Sequence, residues 1–181
     1  YDVNDNKKTW TNKQIVQRSC GKFRREWESS SMKDKSYTPE NYPILRYGDV
    51  LLMLAEAENE AHQGPTDLAY ECINEIRQRA GISKLEGLSY TDFQQAVRDE
   101  RARELCFESL RKYDLVRWGI YVEAIHDKLG AATQDKRWAT GNQFIGARDY
   151  AARTQEKHQF LPIPTKELDV NGKLEQNKYW Q

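Results

Sequence analysis

The sequence predicts a mainly α-helical protein, and three observations lead to that fold class. Apolar residues recur three and four positions apart along two successive pairs of segments, which is the spacing of amphipathic helices. The breaker pair Gly64-Pro65 separates the two segments of the first pair. Each pair takes about 35–40 residues, the period of tetratricopeptide-like repeats. We therefore expect tetratricopeptide-like helical hairpins connected by long irregular loops.

The first predicted hairpin begins after a polar stretch that has no sustained period. Its first helix carries apolar side chains at Tyr47, Val50, Leu51, Leu54 and Ala55, which we expect to face the core. Thr66 follows the breaker pair and is a suitable cap for the second helix. Cys72 falls on the apolar stripe of that helix, so we expect it to be a buried, unreactive thiol.

The second predicted hairpin repeats the pattern with helices at Ser89–Phe107 and Leu110–Leu129. Trp118 lies in the second of these helices and is assigned to the core. A polar stretch over residues 130–157 is longer than an ordinary connection, which indicates a functional loop. Closely spaced prolines then predict an extended tail, after which Thr165 could cap one short turn.

We divide the chain at residue 42, where the polar stretch gives way to periodic apolar residues. The parts are an irregular lead-in at 1–42 and a helical domain at 43–181, made of hairpins at about 45–80 and 89–129, a loop at 130–157 and a proline-containing tail at 158–181. Two hairpins are fewer than a stable repeat array needs, so this pair should pack on something else.

The charge balance narrows the classes of partner. The chain has 181 residues with 28 basic and 28 acidic side chains, so its formal net charge is zero. Without a basic field, nucleic acid and anionic membrane surfaces are not expected to bind. No apolar run approaches the ~20 residues of a membrane-spanning helix. The three histidines are far apart, so we expect no metal site and no cofactor.

The most informative stretch is the charged block of residues 100–117. On a helix, Glu100, Glu104 and Glu108 share one face and would repel one another unless cations neutralise them. One interpretation makes Glu104 and Glu108 the acid and base of a glycoside hydrolase, which requires environments that separate their pKa values. The other is an ion-pair lattice between helices. Because each acid has an arginine nearby, we favour the lattice and expect a protein that is not an enzyme.

Four segments of the chain resemble the SusD/RagB family of outer-membrane nutrient-binding lipoproteins, in the order in which that family has them. They are YPILRYGDVLLMLAEA at 42–57, the segment with INEIR and RAG at 69–81, ERARELCFESLRKYDLVRWG at 100–119, and LPIP followed by EL and QN at 161–177. Together they span about three quarters of the chain. Ser109 departs from the family pattern, which has glycine at this turn between two helices.

The resemblance implies the carboxy-terminal part of a SusD-like fold and a role in capture. Such proteins are cell-surface lipoproteins of the outer membrane that hold oligosaccharides and pass them to a SusC-like TonB-dependent transporter. The family's lipid anchor lies in an amino-terminal half that has no counterpart here, so membrane attachment is expected only through an anchor absent from this chain. The alternatives are a RagB-like subunit that captures peptides and a tetratricopeptide-like scaffold that binds only proteins.

Sugar capture requires flat aromatic rings together with side chains that hydrogen-bond hydroxyl groups. The long predicted loop offers both, because Trp138 stands beside Arg137 and is followed by Asn142 and Gln143. Tyr150 supplies a second ring in the same loop. These five residues are the predicted ligand contacts.

Overall fold

The protein is helical throughout the part that the structure describes. This computed structural model describes residues 20–23, 28–29, 36–129 and 142–181, with the backbone alone over 142–145. No strand occurs within these ranges, which confirms the mainly α-helical class. None of the helices in them is both long enough and apolar enough to cross a membrane. The division at residue 42 stays a prediction.

The chain forms two compact units, which are described separately. The helical unit comprises Cys20–Arg111, and the carboxy-terminal unit has its described part at Lys112–Gln181. The helical unit contains three long helices that pack on one another: α1 at Tyr47–His62, α2 at Asp67–Arg79 and α3 at Tyr90–Glu104.

The first hairpin is confirmed, and its turn is built from local signals. Helix α1 ends where Gln63 adopts a left-handed backbone conformation with φ 53°. Thr66 caps α2, because its hydroxyl oxygen accepts a hydrogen bond from the Ala69 N–H at 3.1 Å. This bond satisfies one of the N–H groups that the start of a helix leaves without a partner. The same hydroxyl donates to Glu58 at 2.7 Å and so ties the two helices together.

The core of the helical unit lies between α1, α2 and α3. Its buried apolar side chains are Leu51, Leu52, Ala55, Ala69, Cys72, Ile73, Ile76, Phe93 and Val97. Phe93 is fully enclosed, and its ring meets that of Tyr70 edge-on with 5.1 Å between centroids. Cys72 is buried as predicted. Burial of large apolar side chains is the main contribution to the stability of such a unit.

The apolar stripe predicted for α1 is buried only in part. Leu51 and Ala55 of that stripe are buried, together with Leu52, which the stripe did not include. Tyr47, Val50 and Leu54 are 67%, 40% and 38% exposed. Apolar residues cover a wide arc of α1, so the three- and four-residue spacing could not decide which half of the arc meets the core.

Helix α3 begins within one residue of its predicted start, with Ser89 as its cap, and ends earlier than predicted. The Ser89 hydroxyl oxygen accepts a hydrogen bond from the Asp92 N–H at 3.2 Å. The helix stops at Glu104 because the following turn contains Phe107 and Ser109 with left-handed φ angles of 65° and 62°. The turn therefore explains why glycine suits the position that Ser109 occupies.

The single helix predicted over 110–129 is wrong. The chain forms α4 at Arg111–Arg117, breaks at Gly119, and resumes as α5 at Tyr121–Ala124. A short π-helix at Ile125–Leu129 continues directly from α5. Gly119 has φ 69°, a left-handed conformation in which glycine commonly ends a helix.

Trp118 was predicted to be a core residue and is only half-buried. The chain leaves α4 at this residue, so the indole does not occupy a continuous helical face as the prediction assumed. The Arg117 guanidinium lies 4.7 Å from the centre of its ring, a favourable cation–π contact.

The loop predicted at 130–157 contains a helix over part of its length. Helix α6 covers Asn142–Arg153. Three short elements follow: a 3₁₀ turn at Glu156–Gln159, helix α7 at Thr165–Val170 and a 3₁₀ turn at Lys178–Trp180. Among the side chains described on α6, at 146–153, Ala151 is the one that is buried, so the helix has no wide apolar face of the kind that periodicity detects.

The extended, proline-containing tail is held by side-chain amides. The Gln176 side chain accepts a hydrogen bond from the Ile163 N–H at 2.8 Å and donates one to the Ile163 carbonyl at 3.0 Å. Asn177 donates to the Leu161 carbonyl at 2.6 Å. Prolines lack an N–H, so these amides replace the ladder that a strand would form. Thr165 does not cap the next turn and is instead the first residue of α7.

Candidate functional site

Arg46, which precedes α1, connects the start of that helix with the charged block, which begins in the last turns of α3. Its guanidinium binds Glu108 through two parallel hydrogen bonds, from Nε at 2.8 Å and from Nη2 at 2.9 Å. Nη1 also donates to the Glu104 carboxylate at 3.0 Å. Lys22 adds a further hydrogen bond to Glu108 and one to the Glu104 carbonyl. Paired, planar contacts of this kind are the geometry for which arginine is suited.

Two further ion pairs join the helices of the core. Arg77 of α2 donates to Glu100 of α3 at 2.8 Å. Arg101 of α3 donates to Asp49 of α1 at 2.8 Å, and the side chains of this pair are only 4% and 9% exposed. Together with Arg46, these pairs hold α1, α2 and α3 against one another. The interpretation of the charged block as a brace is supported by these contacts.

The hydrolase alternative requires a carboxyl group that stays protonated near neutral pH. Burial by itself would raise the pKa of Glu108, but hydrogen bonds from Arg46 and Lys22 outweigh that effect and lower it below its ordinary value. Glu104 is also ion-paired, to Arg46 and to Arg79 at 2.5 Å. The geometry therefore favours structural carboxylates at both positions.

A small cavity of about 220 Å³ lies beside this lattice, bordered by Arg46, Arg79 and Glu104. Arg46 and Arg79 are both paired with Glu104, and the other carboxylate on the cavity wall belongs to the exposed residue Glu75. We do not regard it as a binding site.

The structure describes the predicted ligand contacts only in part. Arg137 and Trp138 lie outside the described residues. Asn142 and Gln143 fall in the first turn of α6, where the backbone alone is described. Tyr150 is described, lies on the same helix and is half exposed. The five-residue site stays a prediction, and Tyr150 is the member whose surroundings can be examined.

Tyr150 lines a cavity of about 480 Å³ within the carboxy-terminal unit, hereafter the aromatic cavity. Its aromatic side chains are Tyr121, Tyr150, Phe160 and Trp180. They come from α5, α6 and the two 3₁₀ turns or their immediate neighbours. A volume of this size lies in the usual range of small-molecule sites.

Two tyrosines form one side of the aromatic cavity. Tyr121 is 2% exposed, and its hydroxyl is hydrogen-bonded to that of Tyr150. Burial, together with the hydrogen bond to Tyr150, raises the pKa of Tyr121 to about 12, so Tyr121 is neutral at physiological pH. Tyr150 is held in turn by the end of α6, where Thr154 donates to its carbonyl at 2.8 Å. The exposed ring of Tyr150 therefore rests on a fixed support.

Trp180 forms another side and is also held in place. Its indole N–H is shared between the carbonyls of Lys157 and Phe160, each at 3.0 Å. The Lys157 ammonium lies 5.1 Å from the ring centre, and the His158 ring meets the indole edge-on. An aromatic surface that is anchored at its polar edge can accept a ligand without losing side-chain freedom.

Sequence reasoning missed Tyr121 and Trp180. Tyr121 lies in a region that was predicted to be one continuous helix, and Trp180 stands in the tail. Tyr121, Tyr150 and Trp180 lie in three different elements. No spacing in the sequence therefore connects Tyr121 or Trp180 with Tyr150. An aromatic residue in an irregular segment was the signal that could have found Trp180. The predicted ligand contacts were chosen by this signal from the loop at 130–157 and not from the tail.

The described ranges contain no cluster of three or more histidine, cysteine or acidic side chains that could hold a metal ion. They do contain three helices held together by ion pairs, and a cavity lined by aromatic side chains with polar groups on its wall. These features define a helical protein with a cavity in the size range of small-molecule sites.

Comparisons with known proteins then identify the family. The sequence profile of the SusD family (SusD_RagB) matches residues 1–180. SusD-like protein P25 of Formosa agariphila is 40% identical over 139 residues, which is 75% of this chain and 23% of that protein. The chain belongs to the SusD family.

Solved structures agree with this assignment. A SusD homolog from Bacteroides thetaiotaomicron is 38% identical, with a TM-score of 0.64 over 74% of this chain and 26% of its own. A SusD superfamily protein from Bacteroides vulgatus is 30% identical, with a TM-score of 0.57 over 77% of this chain and 28% of its own. The chain spans about a quarter of the length of these relatives.

Proposed function

We propose that this chain is the carboxy-terminal part of a cell-surface protein that captures oligosaccharides and delivers them to a SusC-like TonB-dependent transporter. Membership of the SusD family supports a role in capture. The observation that carries the proposal is the aromatic cavity, in which Tyr150 presents an exposed ring beside an anchored Trp180. Attachment to the outer membrane by a lipid anchor outside this chain is part of the same proposal.

The chemistry of the cavity suits a sugar. The apolar face of a pyranose ring packs against an aromatic face, while the hydroxyl groups at its edge need donors and acceptors. Tyr150 supplies a ring and a hydroxyl, and Asp149 and His158 supply polar groups on the same cavity wall. The predicted contacts Trp138 and Gln143 would extend this site along the sequence that precedes Tyr150.

Isothermal titration of the full chain against a panel of neutral and acidic oligosaccharides tests the proposal. We expect Tyr150→Ala to weaken binding by roughly tenfold, the loss of about one aromatic contact. Tyr113→Ala is the matched control, because Tyr113 belongs to the same unit, is 71% exposed and does not line the cavity. Circular dichroism of both variants is the check that they remain folded.

Four results would contradict sugar capture at this site. Absence of binding to any sugar would refute it outright. Preferential binding of oligopeptides would favour the peptide-capture alternative. Binding to the transporter without any binding to sugars would favour the scaffold alternative. A Tyr150→Ala variant that binds sugars as tightly as Tyr113→Ala would place the site elsewhere.

A further inference from the structure

Two cations lie on the wall of the aromatic cavity. Lys112 extends from α4, and its ammonium is 5.5 Å from the centre of the Tyr121 ring. Arg153 extends from the last turn of α6 and is exposed. Among the described residues neither cation forms an ion pair, in contrast to the arginines that brace the helical unit. Their positive charge is therefore available to a ligand in the cavity.

Asp149 is the one carboxylate among the described residues that line the cavity, and it has a cation nearby. Its carboxylate lies 3.7 Å from the guanidinium of Arg148, which does not itself line the cavity. The charged residues described on the cavity wall are therefore two cations and one acid that has a cationic neighbour. An anionic group entering the cavity gains two attractive interactions and little repulsion.

His158 adds a neutral hydrogen-bond donor to this wall. Its Nδ1 accepts a hydrogen bond from the Gln155 N–H at 2.8 Å, so the proton of the neutral ring is on Nε2. The cavity thus combines fixed aromatic rings, a ring N–H donor and two cations. Rings suit the apolar face of a sugar, and an arginine suits a carboxylate or sulfate group, which it can bind through two N–H groups.

We infer that the aromatic cavity selects acidic oligosaccharides, which carry carboxylate or sulfate groups, over neutral ones, with Lys112 and Arg153 as the residues that determine this specificity. The inference rests on the proposed function and narrows its class of substrate. An aromatic platform favours a sugar ring over a simple anion, and the two cations favour an acidic sugar over a neutral one.

Titration of the full chain with three tetrasaccharides tests the inference: a neutral galactan fragment, a galacturonate fragment and a sulfated galactan fragment. We expect the acidic fragments to bind at least roughly tenfold more tightly than the neutral one at low salt. The advantage should shrink as salt is raised, because exposed charges are screened. The galacturonate and sulfated arms show which anionic group is preferred.

Lys112→Gln and Arg153→Gln should each weaken binding of the acidic fragments by roughly three- to tenfold, and should weaken binding of the neutral fragment by a smaller factor. Lys166→Gln is the matched control, because Lys166 is an exposed lysine of the same unit that does not line the cavity. All three positions are exposed, so the variants should fold.

The outcomes separate this inference from the proposed function. Equal affinity for neutral and acidic fragments would overturn the inference and leave sugar capture standing. Acidic binding that is unchanged in Lys112→Gln and Arg153→Gln would also overturn it. Binding of none of the fragments would refute both. Tighter binding of a tetra-aspartate peptide than of any sugar would assign the cavity to acidic peptides instead.

Discussion

Arg101 offers the sharpest test of the brace between the helices. Its guanidinium and the Asp49 carboxylate are 2.8 Å apart, and the two side chains are 4% and 9% exposed. Replacing Arg101 by methionine keeps most of the volume and leaves Asp49 as a buried, unpaired charge. Breaking a buried pair in this way costs about 3–5 kcal/mol, whereas an exposed pair contributes about 1 kcal/mol or less.

Arg103 is the matched control for this experiment. It lies on the same helix and pairs with Glu100 at 3.3 Å, but its side chain is 60% exposed. We expect Arg101→Met to lower the melting temperature by roughly 6–20 °C, from a shift of about 2–4 °C per kcal/mol for a chain of this size. Arg103→Met should change it by only a few degrees. The measurement is unfolding followed by circular dichroism, by heat and by urea.

A double variant completes the test. Adding Asp49→Leu to Arg101→Met removes the orphaned charge, and an apolar pair in place of a buried ion pair is often neutral or stabilising. We therefore expect the double variant to recover most of the lost stability. Two results would refute the buried brace: equal losses of stability in Arg101→Met and Arg103→Met, or a double variant that is less stable than Arg101→Met alone.

Three further predictions follow from burial, backbone conformation and charge. Phe93→Ala should lower the free energy of unfolding in urea by about 3–5 kcal/mol, because Phe93 is fully buried. Trp118→Ala should lower it by less, because Trp118 is only half-buried. Ser109→Gly should stabilise the protein by about 0.5–1 kcal/mol, because the position has a left-handed φ of 62°, and a lower melting temperature would contradict this. Burial opposes the shift, but the cationic partners of Glu108 hold its pKa below the ordinary value of 4.5. The stability that the ionised Glu108 carboxylate contributes is therefore fully present above pH 4.5 and is lost as the pH falls through the lower pKa of the folded state. The stability gap between wild type and Glu108→Gln should be constant between about pH 6 and 8 and should narrow below about 4.5, and a gap that widens in acid would contradict the ion pairing.

The parts of the fold that could be predicted are those set by neighbours in the chain. Thr66 caps α2 as predicted, and α3 begins next to its predicted start at Ser89, because a cap bonds to an N–H only three residues away. Cys72 is buried because it lies on the one apolar stripe of α2. The break at Gly119 was within reach of the same reasoning, since glycine is a common helix end, but the apolar pattern on both sides concealed it.

The parts that could not be predicted depend on distant residues. The sequence indicated that arginines neutralise the charged block, yet it could not show that Arg46, far ahead of the block, binds Glu104 and Glu108 together. For the candidate site, only Tyr150 of the predicted contacts has described surroundings, and its partners Tyr121 and Trp180 were not anticipated.

Composition, helix caps, breakers and the four family segments are properties of the chain read in order, so they established a helical member of the SusD family with a balanced charge. Which face of α1 meets the core, which cations are paired and which rings share a cavity are decided only when whole helices pack. The physical reason is that such contacts join side chains that are close in space and far apart in sequence, and the free energy of burying them belongs to the packed assembly rather than to any one segment.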